Sequence, residues 1–341
     1  MNKGRIDRIG SAVLWLLLTS GVAGCTTTAV TPNSLDPQGY AASRIANLWW
    51  LLLGLGSMVY LLVMALLAWA LWRKRPLSSA NDDANTVERR SRPFIIAGGI
   101  VFPAIVLVIV FGSTLNVLAG LNGMQENGRL LIEVVGHQWW WEVNYPHQQF
   151  STANEIHIPV GEPVQFKLNS ADVIHSFWAP ELHGKLDLVP GQTNTLWLQA
   201  DKPGRYWGLC AEFCGIQHAK MLFVVVAEPR EDFDAWLAAQ QELAAVPTDA
   251  LTQQGQNLFM QVGCSDCHRI RGAQAVGDLG PDLTHFADRL TLGAGIAPND
   301  RESLAAWVLN PHTMKGGNIM PATQLTEDEL AAIVAYLQSL K

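Results

Sequence analysis

Between Cys210 and Met221 the chain reads Cys-Ala-Glu-Phe-Cys-Gly-Ile-Gln-His-Ala-Lys-Met, setting two thiols, an imidazole and a thioether in the order C-x3-C-x3-H-x2-M. Thiolate and thioether select soft metals, and Met is a poor ligand for structural zinc, so the pattern points to copper. A Cys210–Cys214 disulfide and half of a zinc site are the competing readings. The apolar run Leu222 to Val226 follows at once and reads as a buried strand. The ligands therefore sit on a loop entering the last strand of a β domain. A second chemical signature is Cys264-Ser-Asp-Cys267-His268. In C-x-x-C-H the two thiols add to heme vinyl groups and the His binds iron; a redox dithiol is the alternative, which the following His and an exported location oppose.

Positioning these groups requires two kinds of scaffold. Short β-rich runs separated by Gly, Pro and Asn cover Leu130 to Val135, Trp139 to Val143, Glu155 to Ile158, Val164 to Leu168, Thr195 to Gln199, Arg205 to Leu209 and Leu222 to Val226. They predict an antiparallel sandwich. Its metal loop needs one more ligand from upstream, and His175 in Asp172-Val-Ile-His-Ser-Phe-Trp178 is the candidate; His137, His147, His157 and His183 lack a comparable setting. After a linker over 229–250, whose Glu231 to Ala245 suits a short amphipathic helix, Thr252 to Val262 predicts a helix leading into the heme motif. Thr326-Glu-Asp-Glu329 is a capping box opening a final helix through Leu340.

Composition places these domains beside a membrane. The 341 residues are 49% hydrophobic and 16% charged, a skew concentrated in three N-terminal runs. Lys3, Arg5 and Arg8, a short apolar core and Val22-Ala23-Gly24 describe a secretory signal over 1–24. Cys25 directly after it resembles the acylated Cys of a bacterial lipoprotein, and it is the odd thiol among five. An exported segment, 25–44, precedes a hairpin over 45–125. Its helices, about 45–72 and 94–121, each exceed the roughly 20 residues that span a bilayer core. Trp49, Trp50, Trp69 and Trp72 mark interfacial belts, and the Arg-rich connection (Arg73, Lys74, Arg75, Arg89, Arg90, Arg92) is cytoplasmic by the positive-inside rule. Everything after residue 125 then faces outward. Loss of the signal changes the net charge from −7 to about −9, which opposes nucleic-acid binding and suits basic partners.

Over roughly residues 40 to 230 the chain resembles subunit II of the heme-copper oxidases. The resemblance rests on Gly136-His-Gln-Trp-Trp-Trp141, the Asp172 to Trp178 block, Lys185-Leu-Asp-Leu-Val-Pro-Gly191, Gly204-Arg-Tyr-Trp-Gly-Leu-Cys210 and the Cys210 to Met221 loop. It implies a two-helix transmembrane hairpin and an external cupredoxin-like Greek-key sandwich, 126–228, holding the binuclear copper center CuA. By that resemblance Cys210 and Cys214 bridge the coppers, His175 and His218 cap them, and Met221 and the Glu212 carbonyl are weak outer ligands. The Glu212 side chain would reach a magnesium ion at the interface with the catalytic subunit, and Trp139 would admit electrons. One departure is that Phe94 to Val101 lacks the Glu with which the family often opens a proton path.

Residues 251–341 resemble an all-α class I cytochrome c domain, and Met320 in Asn318-Ile-Met-Pro321 matches that family's Met-Pro element; Met314 is its rival. His/Met ligation by His268 and Met320 would give a raised potential. Taken together, the resemblances imply the electron-input subunit of a respiratory terminal oxidase, an oxidoreductase and proton-translocating assembly. Electrons would pass from covalent heme c to CuA and on to subunit I, which reduces oxygen. Further oxidase subunits and a cytochrome c donor are the expected partners. A bacterial inner membrane, with both cofactor domains on its periplasmic face, is the expected location. A CuA-bearing nitric oxide reductase would need the same module and is the alternative. A nitrous oxide reductase needs more histidines, a copper-delivery lipoprotein needs no heme domain, and a quinol oxidase would lack Cys210 and Cys214.

Overall fold

The computed structural model describes residues 32–73, 84–122 and 130–341. The expected signal peptide and Cys25 lie outside these residues, as does part of the Arg-rich connection. Helix α1, Tyr40–Trp72, is 33 residues of almost unbroken apolar side chains. Its partner begins as α2, Ala84–Ile96, passes through a π turn at Ala97–Val101 and continues as α3, Phe102–Asn122. The π turn ends two residues before Pro103, which has no N–H to give and whose ring crowds the carbonyl four residues back. Both helices are long and apolar enough to cross a membrane, and the most apolar stretch of each is not buried in the protein.

α1 starts at Tyr40 rather than near residue 45, because its first turn belongs to the β domain. The Gln38 amide donates to the Glu181 carbonyl at 2.7 Å and the Ala42 amide to Leu182 at 3.2 Å, while Ala41, Ala42 and Ala46 are buried. A Cβ on Gly39 would stand 2.4 Å from the Gln199 oxygen, so only glycine lets the chain approach this closely.

The β domain has ten strands in two sheets. β1 (Leu131–His137), β2 (Trp140–Tyr145), β3 (Phe150–Ala153), β5 (Val164–Ser170) and β8 (Asn194–Leu198) form one, in the order β3-β2-β1-β5-β8. β4 (Glu155–Pro159), β6 (His175–Trp178), β7 (Leu186–Leu188), β9 (Gly204–Cys210) and β10 (Leu222–Glu228) form the other, in the order β4-β10-β9-β6-β7. Strict in-out alternation in β1, β2 and β5 points Ile132, Trp141 and Phe166 into a shared core. The expected antiparallel sandwich is in fact mixed: β1 pairs parallel to β5 and β10 parallel to β4. β3, β6 and β7, not foreseen as strands, are three or four residues long and too short for a period to show. Trp139, expected to open a strand, sits in the β1–β2 turn instead.

α4, Arg230–Gln241, lies on the β domain through Trp236 and Leu237, with the Trp236 ring stacked 4.0 Å from His157. The last domain packs α5 (Ala250–Gln261), α6 (Arg301–Leu309) and α7 (Glu327–Ser339) around a second core, with a Thr326/Glu329 capping box opening α7. α5 and α7 touch at Gly255, where a Cβ would lie 2.0 Å from the Ala332 carbonyl oxygen. Backbone cannot yield there as a flexible side chain could. Gly255→Ala is therefore expected to destabilise this domain by about 1–3 kcal/mol, read as lost amide-exchange protection in α5 and α7 with the β domain unchanged.

Candidate metal centre and cofactor cavity

β9 ends at Cys210 and β10 begins at Leu222, so the metal loop is the connection of one antiparallel pair. The Cys210 amide donates to the Met221 carbonyl at 3.0 Å and closes its base. Cys210 and Cys214 are buried with their sulfurs 3.7 Å apart. A disulfide requires about 2.05 Å, so the loop holds two separate thiols. His175 comes from β6, beside β9; its Nδ1 is 3.9 Å from the Cys210 sulfur. On the other side, His218 Nδ1 is 3.7 Å and Met221 Sδ 3.9 Å from the Cys214 sulfur. The Glu212 carbonyl oxygen lies 3.2 Å from the Cys210 sulfur. Five side chains and one carbonyl thus converge around two sulfurs.

The packing orients the donors. A Cβ on Gly136 would meet the His175 ring at 2.8 Å, so glycine there makes room for the imidazole. Asp172 Oδ1 accepts from His175 Nε2 at 2.8 Å and turns Nδ1 toward the sulfur. Burial pulls His175 down, but the Cys210 sulfur and the Asp172 carboxylate on its two nitrogens outweigh it and hold the imidazole above its usual value. Sharing a proton with Cys214 draws the Cys210 thiol down to about 3 and pushes Cys214 up. The loop therefore favours a thiolate before any metal arrives. The buried His175, Cys210 and Cys214 atoms all lie within 4.8 Å of one another, and this group fits a CuA-type site.

Cys264, Cys267, His268 and Met320 line a cavity of ≈ 350 Å³. His268 Nδ1 donates to the Pro281 carbonyl at 2.8 Å, which leaves Nε2 as the uncommitted nitrogen of this cavity-lining ring. Burial holds that imidazole below its usual value and hence neutral. Burial also pushes the Cys264 thiol up to about 11. Arg289 lines the same cavity with a buried Nε that has no partner among the described residues, a donor suited to a carboxylate-bearing cofactor such as heme. Met320 is in the lining and Met314 is not.

Trp139 and Gln138 also line this cavity, although they belong to the β domain. The Trp139 indole N–H donates to the Cys214 carbonyl at 2.9 Å, and the Gln138 side-chain Nε2 donates to the same oxygen at 2.7 Å. Trp139 is only 8% exposed, so one indole spans from the cavity wall to the metal loop. Glu212 has a half-exposed carboxylate 3.8 Å from Lys185 Nζ. Of the histidines set aside, His137 pairs with Glu142 at 2.9 Å, His157 with Glu228 at 3.0 Å, and His183 with the Gly184 carbonyl at 3.0 Å. Asp172, Gln138 and Arg289 were not singled out from sequence. The one available signal was Asp172, three residues before a predicted ligand. Asp172→Asn is expected to weaken copper binding about 10–100-fold, measured by chelator competition on the purified chain.

Comparison with known proteins places this geometry. Residues 146–228 match the family model for the cytochrome c oxidase subunit II periplasmic domain, and residues 252–341 match that for cytochrome c. Cytochrome c oxidase subunit 2 of Alkalihalophilus pseudofirmus is 37% identical over 317 residues, covering 91% of each chain. That of Bacillus sp. strain PS3 is 36% identical over 262 residues, covering 71% of this chain and 72% of the relative. The solved periplasmic domain of cytochrome oxidase subunit II from Bradyrhizobium japonicum is 30% identical, covers 34% of this chain and 95% of that one, and superposes with a TM-score of 0.32. With such identity through nearly the whole length of both chains, and a cytochrome c domain following the periplasmic one, this chain belongs to the cytochrome c oxidase subunit II family, as the electron-input subunit of a heme-copper oxidase complex.

Proposed function

We propose that the Cys210 to Met221 loop with His175 holds a binuclear copper center and that His268 and Met320 are the axial ligands of a heme joined to Cys264 and Cys267. Cys210, Cys214, His175, His218, Met221 and the Glu212 carbonyl would hold the copper. When bound, copper and heme iron supply reversible one-electron chemistry, and the protein fixes where it happens. Burial of the thiols and His175 keeps water from the center, while Asp172 and the loop closure hold the donors in one arrangement, so that little needs to move when an electron arrives.

The observation that carries the reading is the placement of Trp139, one face in the cavity wall and its N–H on the Cys214 carbonyl. In this chain the aromatic through which electrons are expected to reach copper is covered by the chain's own cytochrome domain. Tethering the donor replaces a diffusive encounter with a high effective concentration. A soluble or membrane-bound cytochrome c donor would then deliver electrons to the heme.

The outward face suits a large partner. Val173, Ile174 and Phe213 are exposed apolar residues next to His175 and Cys214, and the Glu212 carboxylate lies near them. That face would meet the catalytic subunit, with Glu212 placed to share a magnesium ion there. The two spans would hold the chain in a bacterial inner membrane with both cofactor domains on the periplasmic side, and Cys25 would carry a lipid.

Cys214→Ser in the purified complex should remove the near-infrared band and hyperfine pattern of a mixed-valence copper pair and leave the heme spectrum intact; survival of that pattern refutes the copper assignment. Met320→Ala should turn the heme toward high spin, while Met314→Ala should not. The reverse result would move the axial role to Met314.

A further inference from the structure

Lys315 is the least expected side chain in the protein: a lysine only 2% exposed, lying where the cytochrome domain meets the copper loop. Its Nζ donates to the Trp139 carbonyl at 2.6 Å, to the Lys220 carbonyl at 2.6 Å and to the Gly293 carbonyl at 2.7 Å. An ammonium has three N–H groups and no acceptor, so three carbonyls satisfy it completely. These carbonyls come from three places: the turn carrying the indole between the cofactors, the copper loop next to Met221, and the cytochrome domain. Burial draws this ammonium down to about 7, and the nearby Cys214 side chain pulls the other way.

Further hydrogen bonds between these domains lie near this point. Leu222 N–H donates to the Ala294 carbonyl at 3.0 Å, Gln217 Nε2 to the Gly316 carbonyl at 2.7 Å and Lys220 Nζ to the Met314 carbonyl at 2.7 Å. Further off, Glu155 accepts from the Leu290 and Thr291 amides at 2.6 and 3.2 Å. Several of these are backbone-to-backbone or surface contacts that many sequences could make. Lys315 alone among them grips the Trp139 main chain, and a buried charge is tolerated only where it is fully partnered. It also lines the cofactor cavity.

The geometry points to Lys315 as a positioning residue for electron passage between the heme cavity and the copper loop: its ammonium locks the Trp139 turn, the loop and the cytochrome domain into one electron-transferring arrangement. This rests on the reading of the two cofactor sites given above. Without the lock, the cytochrome domain would remain tethered by the linker but would hold no fixed register against Trp139. The buried positive charge would additionally favour the reduced copper center.

The test uses the intact oxidase complex carrying Lys315→Met, which keeps the apolar stem of the side chain and removes its charge and donors. Heme-to-copper electron transfer, followed after photoreduction, is expected to slow at least tenfold, and the copper midpoint potential to shift downward, with heme and copper spectra unchanged. An unchanged transfer rate with intact spectra overturns the proposal. Loss of either native spectrum in wild-type complex would instead sink the cofactor reading beneath it. Should the variant fail to assemble, lysine acetylation of the wild-type complex decides: Lys315 is expected to react at least tenfold more slowly than the half-exposed Lys185, and equal rates would show that the lock does not form.

Discussion

Two buried sulfurs held 3.7 Å apart set the terms for the whole outer part of the protein. At that separation they are two thiols and not a disulfide, and paired buried sulfurs give the loop a strong preference for soft cations. Keeping them apart requires a rigid frame. β9 and β10 provide it, with the Cys210–Met221 hydrogen bond closing the loop at its base and Phe223 packed so tightly under Gly208 that a Cβ there would lie 2.0 Å from the ring. The Trp141, Phe177 and Phe223 rings, in mutual contact, form the floor beneath His175.

That rigidity is extended to the second cofactor through main chain rather than through long side chains. Cys214 offers one carbonyl to both Gln138 and Trp139, and the Trp139 carbonyl in turn accepts from Lys315. A chain of hydrogen bonds thus runs from the copper loop through the indole's own peptide into the cytochrome domain. Polar contacts in a water-poor interface are stronger than on the surface and cost more to leave unmade, so they define a register instead of merely adding affinity. The membrane helices serve the same end by a different route. Gln38, just before α1, and Ala42 in its first turn hydrogen bond to Glu181 and Leu182 of the β domain, which ties the metal-bearing domain to the top of the first span.

Much of this was legible in the chain as written. The C-x3-C-x3-H-x2-M and C-x-x-C-H spacings are local: ligands within one loop share a site almost whatever the rest of the fold does. Membrane spans were legible because a bilayer demands an unbroken apolar length, and the α7 capping box because its reciprocal bonds lie within four residues. Where sequence reasoning failed, the elements were short or the partners distant. β3, β6 and β7 are too brief to display a period, the parallel pairing of β1 with β5 depends on chain paths between them, and the start of α1 was set by the β domain rather than by the last charge before the apolar run.

The C-x3-C-x3-H-x2-M loop and the C-x-x-C-H motif, then, declared by composition and spacing alone that two kinds of redox group were in play. Which outlying residues serve them was decided by the tertiary structure. Asp172 turning His175, Arg289 with an unpartnered Nε in the cavity, and Lys315 between two domains are all ordinary residues in sequence. Their roles come from burial and from partners up to 176 positions away. Desolvation acts on the folded neighbourhood and not on the string, so a lysine that reads as a surface charge becomes, once buried against three carbonyls, a fixed point of the assembly.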